Sequence, residues 1–241
     1  MRLRVDLLPR PPYGESVVVL IDVLRATTSI TMLLQLGAKE VWVSPNAQSA
    51  RATARAGDLL LGEKEGIPPQ GFHYGTSPLE LEKLDVAGKK VFYTSDNLPR
   101  ALRELGYAGT VYLAAFNNVS SLISRTAQEE PESIALVCAG FKGVEALDDS
   151  LAAGFIVRSL QRRHHNLELS DAARLAAALL GAFAQPLDGL WESASGRFLH
   201  ELGYADDLAV ASLVNVSDTL PVLSKTRKID GVTLYRFTSE P

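Results

Sequence analysis

The chain reads as an α/β protein: a mostly parallel sheet of about six strands flanked by helices, then a largely helical C-terminal portion ending in a short β segment. Three features predict this. Short β-branched runs alternate with amphipathic stretches along the first two thirds of the chain. The runs are continuously apolar instead of alternating, as strands buried on both faces are. After residue 165 the pattern becomes mostly helical, with one strand-like run near the end.

The elements follow in order. Val17-Val-Val-Leu-Ile21 is an apolar run ending at Asp22, and Thr27 to Leu36 places Ile30, Leu33, Leu34 and Leu36 at helical spacing before Gly37 stops it. Val41-Trp-Val43 precedes a helix over Asn46 to Ala56, and Leu59-Leu-Leu61 precedes a long loop and a helix over Ser77 to Leu84. Val91-Phe-Tyr93 leads to Leu98–Leu105, Thr110–Ala115 to Asn118–Ala127, and Ile134–Cys138 to Leu147–Gln161. Beyond these units, helices are predicted over Asp171–Ala184, Trp191–Leu202 and Asp206–Val214, and Val232-Thr-Leu-Tyr-Arg-Phe237 is the terminal β segment. The division implied is an α/β core over 1–165 and a C-terminal portion over 166–241, as two units or one, without a Pro/Gly/Ser linker between them.

With 241 residues and 46% hydrophobic composition, the chain can bury a sizeable core. Its 24 Lys+Arg against 28 Asp+Glu give a net charge of −4. No bulk positive field is available for nucleic acid or an anionic membrane, so an anionic ligand requires a local site. The one cysteine, Cys138, sits in an apolar run and reads as a buried small hydrophobe in a reducing compartment, which points to the cytoplasm. The most apolar stretch, Leu175 to Ala184, is shorter than the roughly 18 residues of a membrane span. Pro9, Arg10, Pro11 and Pro12 interrupt the N-terminal segment where a secretion signal would need an apolar run. The apolar helices after Asp171 offer a face for a homodimer.

Parallel sheets gather ligands beyond the carboxyl ends of their strands, where loops and helix N-termini converge. Here those positions supply Asp22, Arg25, Thr27 and Thr28; Gly62-Glu63-Lys64; Thr94-Ser-Asp-Asn97 with Arg100; Asn117-Asn118; and Gly140-Phe-Lys142-Gly143 followed by Asp148-Asp149. Carboxylates beside cations suit a phosphorylated small anion handled with a divalent cation. Asp22, Glu63 and Asp149 are the candidate metal carboxylates, and Arg25 and Arg100 the candidate oxyanion clamps. Structural roles stand beside these. Asp22 and Arg25 can pair at a helix start, Thr27 and Asn118 can be N-caps, and Asp148 and Asp149 can complement a helix dipole. His164 and His165 read as a solvated basic helix end and His200 as a capping residue, which leaves His73 as the histidine placed to face a ligand. Ser195 lacks the strand–turn–helix setting of a nucleophile elbow and receives no catalytic role. No G-x-G-x-x-G follows the first strand and no G-x-x-x-x-G-K-[ST] occurs, which removes dinucleotide and P-loop readings.

The motifs resemble those of the 2-phosphosulfolactate phosphatase (ComB) family. The strongest is Val19-Leu-Ile-Asp-Val-Leu-Arg-Ala-Thr-Thr28; Gly62-Glu63, Gly75-Thr-Ser-Pro78, Phe116-Asn117, Val137-Cys-Ala-Gly140, Leu147-Asp-Asp-Ser-Leu-Ala-Ala-Gly154 and Ser195-Gly196 follow in family order. The resemblance implies an α/β, Mg²⁺-dependent phosphatase acting on the phosphate ester of a sulfonated hydroxy acid on the route to coenzyme M. It supports Asp22, Glu63 and Asp149 as catalytic and metal-binding residues. Arg25, Thr27, Thr28, Asn97, Arg100 and Asn117 become substrate-binding candidates. The chain departs from the family pattern in Asp96-Asn-Leu-Pro-Arg100, where Leu98 and Pro99 replace a glycine and a hydroxyl residue. It also departs in Asp148-Asp-Ser-Leu-Ala152, which lacks a thiol, and at Thr76, where the family has Asn. Two other readings therefore stand beside this one: a homologue that binds an anionic metabolite without turnover, and a phosphatase for a non-sulfonated ester.

Overall fold

A computed structural model describes residues 1–106, 109–164 and 166–239. His165, which the sequence reading places in a basic helix end and at the division of the chain, lies outside them. The strands are β1 (Arg2–Asp6), β2 (Val17–Ile21), β3 (Glu40–Val43), β4 (Leu59–Gly62), β5 (Lys90–Thr94), β6 (Thr110–Ala114), β7 (Ser133–Cys138), β8 (Glu168–Leu169), β9 (Pro221–Ile229) and β10 (Val232–Ser239). Between them lie α1 (Ala26–Gln35), α2 (Ala47–Thr53), α3 (Pro78–Leu81), α4 (Leu98–Glu104), α5 (Val119–Glu129) and α6 (Leu147–Arg163). The C-terminal helices are α7 (Asp171–Leu179), α8 (Pro186–Glu192), α9 (Ala194–Glu201) and α10 (Asp206–Ala211).

The α/β class holds, but the described sheet has 10 strands, ordered β4-β5-β3-β10-β9-β6-β2-β7-β1-β8, in place of about six. The six expected runs are β2 to β7. β1 extends the sheet beside β7, and the two-residue β8 pairs with β1. The terminal β segment is not peripheral. β10 pairs antiparallel with β3, β9 pairs antiparallel with β10 and β6, and the hairpin thus joins two parallel blocks, β4-β5-β3 and β6-β2-β7-β1-β8.

The continuous apolar runs are explained by burial on both faces. In β2, Val17, Val19 and Ile21 enter one core with α6, α7 and α5 residues, while Val18 and Leu20 enter another with Ile30 and Leu33 of α1 and Leu98 and Leu102 of α4. That second core also contains Val41, Leu61, Val91 and Tyr93 from the other parallel block. In a flat sheet β2 and β5 would stand about five strand spacings, or roughly 24 Å, apart. Their shared core requires the sheet to curl, bringing the carboxyl ends of the two blocks towards each other. A register shift at Arg236/Phe237 in β10 places a bulge in the joining hairpin, and bulges increase local bend and twist.

Candidate active site

The site begins where β2 stops. Asp22 is the first residue past the strand, and Thr27 locks the loop that follows it: its hydroxyl donates to the Asp22 carbonyl at 2.8 Å and accepts from the Asp22 amide at 3.1 Å. Thr28 does the same service one residue on, donating to the Val23 carbonyl at 2.9 Å. Both threonines are buried and hold backbone, so their side chains do not line the chamber assembled around Asp22. That chamber, of ≈ 40 Å³, is bordered by Asp22, Arg25, Glu63, Gly66, Thr76, Tyr93, Ser95, Asp96, Asn97, Phe141, Lys142, Ser195 and Phe198. Residues from both parallel blocks therefore meet in it.

Its polar atoms are unevenly satisfied. Of the seven buried side-chain polar atoms without a hydrogen-bond partner among the described residues, four border the chamber: Asp22 Oδ2, Thr76 Oγ1, Tyr93 Oη and Ser95 Oγ. Buried polar groups are normally paired, so four orphans converging on one space mark a place where a ligand supplies the missing bonds. A larger depression of ≈ 490 Å³ lies at the amino ends of β1 and β7, but Arg4 on its wall is committed to Asp6 and Glu15.

The carboxylates are electrostatically loaded. Burial pushes the Asp22 carboxyl up to about 7, and the Asp148 and Glu63 charges push in the same direction against the Ala26 amide and Arg100. Burial likewise raises Asp148 to about 6, opposed by the Ser195 hydroxyl, which donates to Asp148 Oδ1 at 2.5 Å. Glu63 is raised by burial although its two oxygens accept from the Gly66 and Asp96 amides, each at 2.7 Å. A cation entering between Asp22 and Asp148 would relieve both burial and repulsion.

The structure redistributes the expected roles. Asp149 faces away from the chamber: its oxygens accept from the Val23 amide at 2.8 Å and the Gly140 amide at 2.9 Å, tying β2's loop to β7's. Among the described residues no three His, Cys, Asp or Glu side chains are grouped to hold a metal. The neighbouring Asp148, not among the candidates from the sequence, carries the charge that helps raise Asp22, while the Asp22 charge in turn helps raise Asp149; neither Asp148 nor Asp149 borders the chamber. Asn117 is buried behind α1, donating to the Thr28 carbonyl at 3.3 Å, and does not border the chamber. Arg25 does border it, but its partner is Asp207 at 3.1 Å and not Asp22; it also donates to the Gly66 carbonyl at 2.9 Å and lies over the Tyr204 ring. Asp207 in turn accepts from the Ser77 hydroxyl at 2.5 Å. Asn97 lines the chamber and accepts from the Lys142 amide at 3.2 Å. Arg100 sits beside it, donating to the Ala139 carbonyl at 2.9 Å.

His73 is exposed, and its Nδ1 accepts from the Leu60 amide at 2.9 Å, away from the chamber. Cys138 is fully buried, and burial raises its thiol well above the ordinary range, so it is inert. Pro99 occupies the first turn of α4, where a missing N–H is tolerated. Ser195 and Asp207 come from the C-terminal helices, far in sequence from the strands they serve. Neither carries a local signal beyond Ser-Gly at 195–196, a match in family order that an elbow-based test discards.

The arrangement of Asp22, Glu63, the 95–97 loop and the start of α6 coincides with the motifs that resemble a known family, and the comparisons agree over most of the chain. Residues 3–226 match the 2-phosphosulpholactate phosphatase family. The chain is 37% identical over 226 residues to the "Probable 2-phosphosulfolactate phosphatase" of Deinococcus radiodurans, covering 92% of this chain and 93% of that one. It is 33% identical to the protein of the same name from Thermus thermophilus, over 92% of this chain and 94% of that one. The corresponding protein of Parasynechococcus marenigrum is 36% identical over 78% of this chain and 81% of its own length. Among the described residues no helix is long and apolar enough to cross a membrane. With its motifs in order along one curled sheet, the family matched over residues 3–226 and its relatives matched over most of their length, the chain belongs to the 2-phosphosulpholactate phosphatase family.

Proposed function

We propose that this chain is a Mg²⁺-dependent phosphomonoesterase that hydrolyses 2-phosphosulfolactate to sulfolactate and phosphate. The observation that carries the reading is the set of four buried, unpartnered polar atoms, Asp22 Oδ2 among them, on residues that border one chamber. Three of the four are hydroxyls able to donate to phosphoryl oxygens, and the fourth is a carboxylate oxygen suited to a hard cation. Mg²⁺ binds through one or two carboxylates plus water and substrate oxygens, and needs no cage of three protein ligands. Asp22 and Asp148 would hold it, and when bound it supplies charge neutralisation at phosphorus and acidification of water.

The chain's own residues do the remainder. Thr76, Tyr93 and Ser95 hydroxyls orient the phosphoryl group, and Arg100 contributes positive charge near Asp22. Ser195 fixes the Asp148 carboxylate, and Asp207 fixes Arg25 so that its guanidinium braces the Gly66 turn. Glu63 is a positioning group, pinned by two amides, that holds the loop after β4 against the loop after β5. The test is phosphate release from 2-phosphosulfolactate by the purified protein, with Mg²⁺ and with EDTA. Release that EDTA abolishes is expected. Thermal stabilisation by the ester without product would make the chain a binding protein, and turnover of only non-sulfonated esters would reassign the substrate.

A further inference from the structure

Two tight turns border the chamber: Lys64-Glu65-Gly66-Ile67 after β4 and Phe141-Lys142-Gly143-Val144 after β7. In each, the outer residues exchange both backbone hydrogen bonds, at 2.9 and 3.2 Å in the first and 2.9 and 3.1 Å in the second. Both central residues have positive φ, 53° and 80° in the first turn, 51° and 87° in the second. Such turns favour Asn or Gly at the first central position, because other side chains strain there. The first turn presents Glu65 there and the second Lys142, and a non-glycine residue held in this conformation beside a site invites a functional account.

A balance of charge among the cations bordering the chamber, Arg25 and Lys142, singles Lys142 out further. Arg25 is cancelled by Asp207 at 3.1 Å and Lys64 by Asp96 at 2.6 Å. The Lys142 ammonium has no ion pair among the described residues; it lies 4.2 Å from the centre of the Phe198 ring and 5.0 Å from that of Phe141. Aromatic faces attract a cation without neutralising it, so the ammonium is held in place with its charge available. The turn is anchored as well, since the Lys142 amide donates to Asn97 Oδ1. A chamber of ≈ 40 Å³ holds about three water molecules. It admits a phosphoryl-sized group and leaves the rest of a polyanion at the rim, where Lys142 stands.

We propose that Lys142 is a specificity-determining residue whose ammonium reads a second anionic group of the substrate, a carboxylate or sulfonate remote from phosphorus. This rests on the phosphatase reading above. The test compares wild type, Lys142→Asn and Lys142→Arg on 2-phosphosulfolactate, 2-phospholactate and phenyl phosphate, which has no second anion. In Lys142→Asn the ratio of kcat/KM for 2-phosphosulfolactate over phenyl phosphate falls about 10- to 100-fold through KM, the effect of one charge-assisted hydrogen bond. Lys142→Arg retains most of the ratio. If the 2-phospholactate ratio falls in parallel, the carboxylate is read; if it does not, the sulfonate is. Because Asn suits the turn, Lys142→Asn melts no lower than wild type, which separates a lost contact from misfolding. A ratio unchanged within about 2-fold overturns the proposal. A wild-type protein inert towards all three esters removes the phosphatase reading only. Calorimetric titration of sulfolactate into wild type and Lys142→Asn then decides the role of Lys142, with equal affinity, or no binding by either, overturning it.

Discussion

Asp22 concentrates the tension of the site in one residue. Its ordinary value is 3.8 and its folded value about 7, so between those limits the native state binds a proton that the unfolded state does not. Stability of the metal-free protein therefore falls as pH rises through this window and is lowest above it. Asp148, raised to about 6, adds to the same slope. The metal-free protein is expected to melt at a higher temperature at pH 6 than at pH 8. Asp22→Asn should flatten that difference, raise Tm at pH 8 by about 3 °C or more, and abolish phosphatase activity, the pattern of a stability–function trade-off. Parallel pH profiles for the two proteins would refute the assignment. What the two adjacent aspartates at the start of α6 bond to was not legible in the sequence. Asp148 and Asp149 are about 100° apart on α6, and Asp148 accepts from the Ser195 hydroxyl while Asp149 accepts from the Val23 and Gly140 amides.

Among the elements, α6 carries the most consequence for the site, because its first turn delivers Asp148 and Asp149. Its position is set by a close approach to α7 at Gly154, where an added Cβ would lie 2.1 Å from the Ala176 carbonyl oxygen. Helix propensity alone favours Gly154→Ala by about 1 kcal/mol, whereas forcing the helices apart costs about 1–3 kcal/mol or more. The clash is with backbone and has no rotamer to escape into, so the second effect wins. Gly154→Ala should lower Tm by several degrees and reduce kcat by displacing Asp148; a raised Tm would show that the helices separate freely. Six strands were legible because burial on both faces leaves an uninterrupted apolar run, as in Val17–Ile21 and Ile134–Cys138. β1 and β9 were not. Arg2-Leu-Arg-Val-Asp6 alternates charged with buried residues, and Ser224 to Lys228 of β9 is polar and exposed. The signal that would have found the hairpin is Asp230-Gly231, a turn dipeptide with φ of 48° and 80° between two strand-length segments.

At the scale of the whole molecule, that hairpin explains how residues of two separate parallel blocks come to share one chamber. Glu63 and the 95–97 loop belong to β4-β5-β3, while Asp22, Phe141 and Lys142 belong to β6-β2-β7 and the loops that follow its strands. β10 pairs with β3 through Tyr235↔Val43 to Phe237↔Val41, and β9 reaches β6 at Tyr112↔Val222. Phe237 is fully buried in the core that both blocks share, and Leu234 in the smaller core over β3 and β5. Removing the hairpin would take Phe237 from the common core, leave β3 and β6 as bare edges and free the blocks to separate. A chain ending at Leu220 is therefore expected to lose cooperative unfolding and to aggregate, although every candidate active-site residue is retained. Calorimetry of the truncated and full chains checks this. A truncated chain that still melts in one sharp transition within about 5 °C of the full chain would show that the blocks hold together without the hairpin, and that the curl of the sheet has another cause.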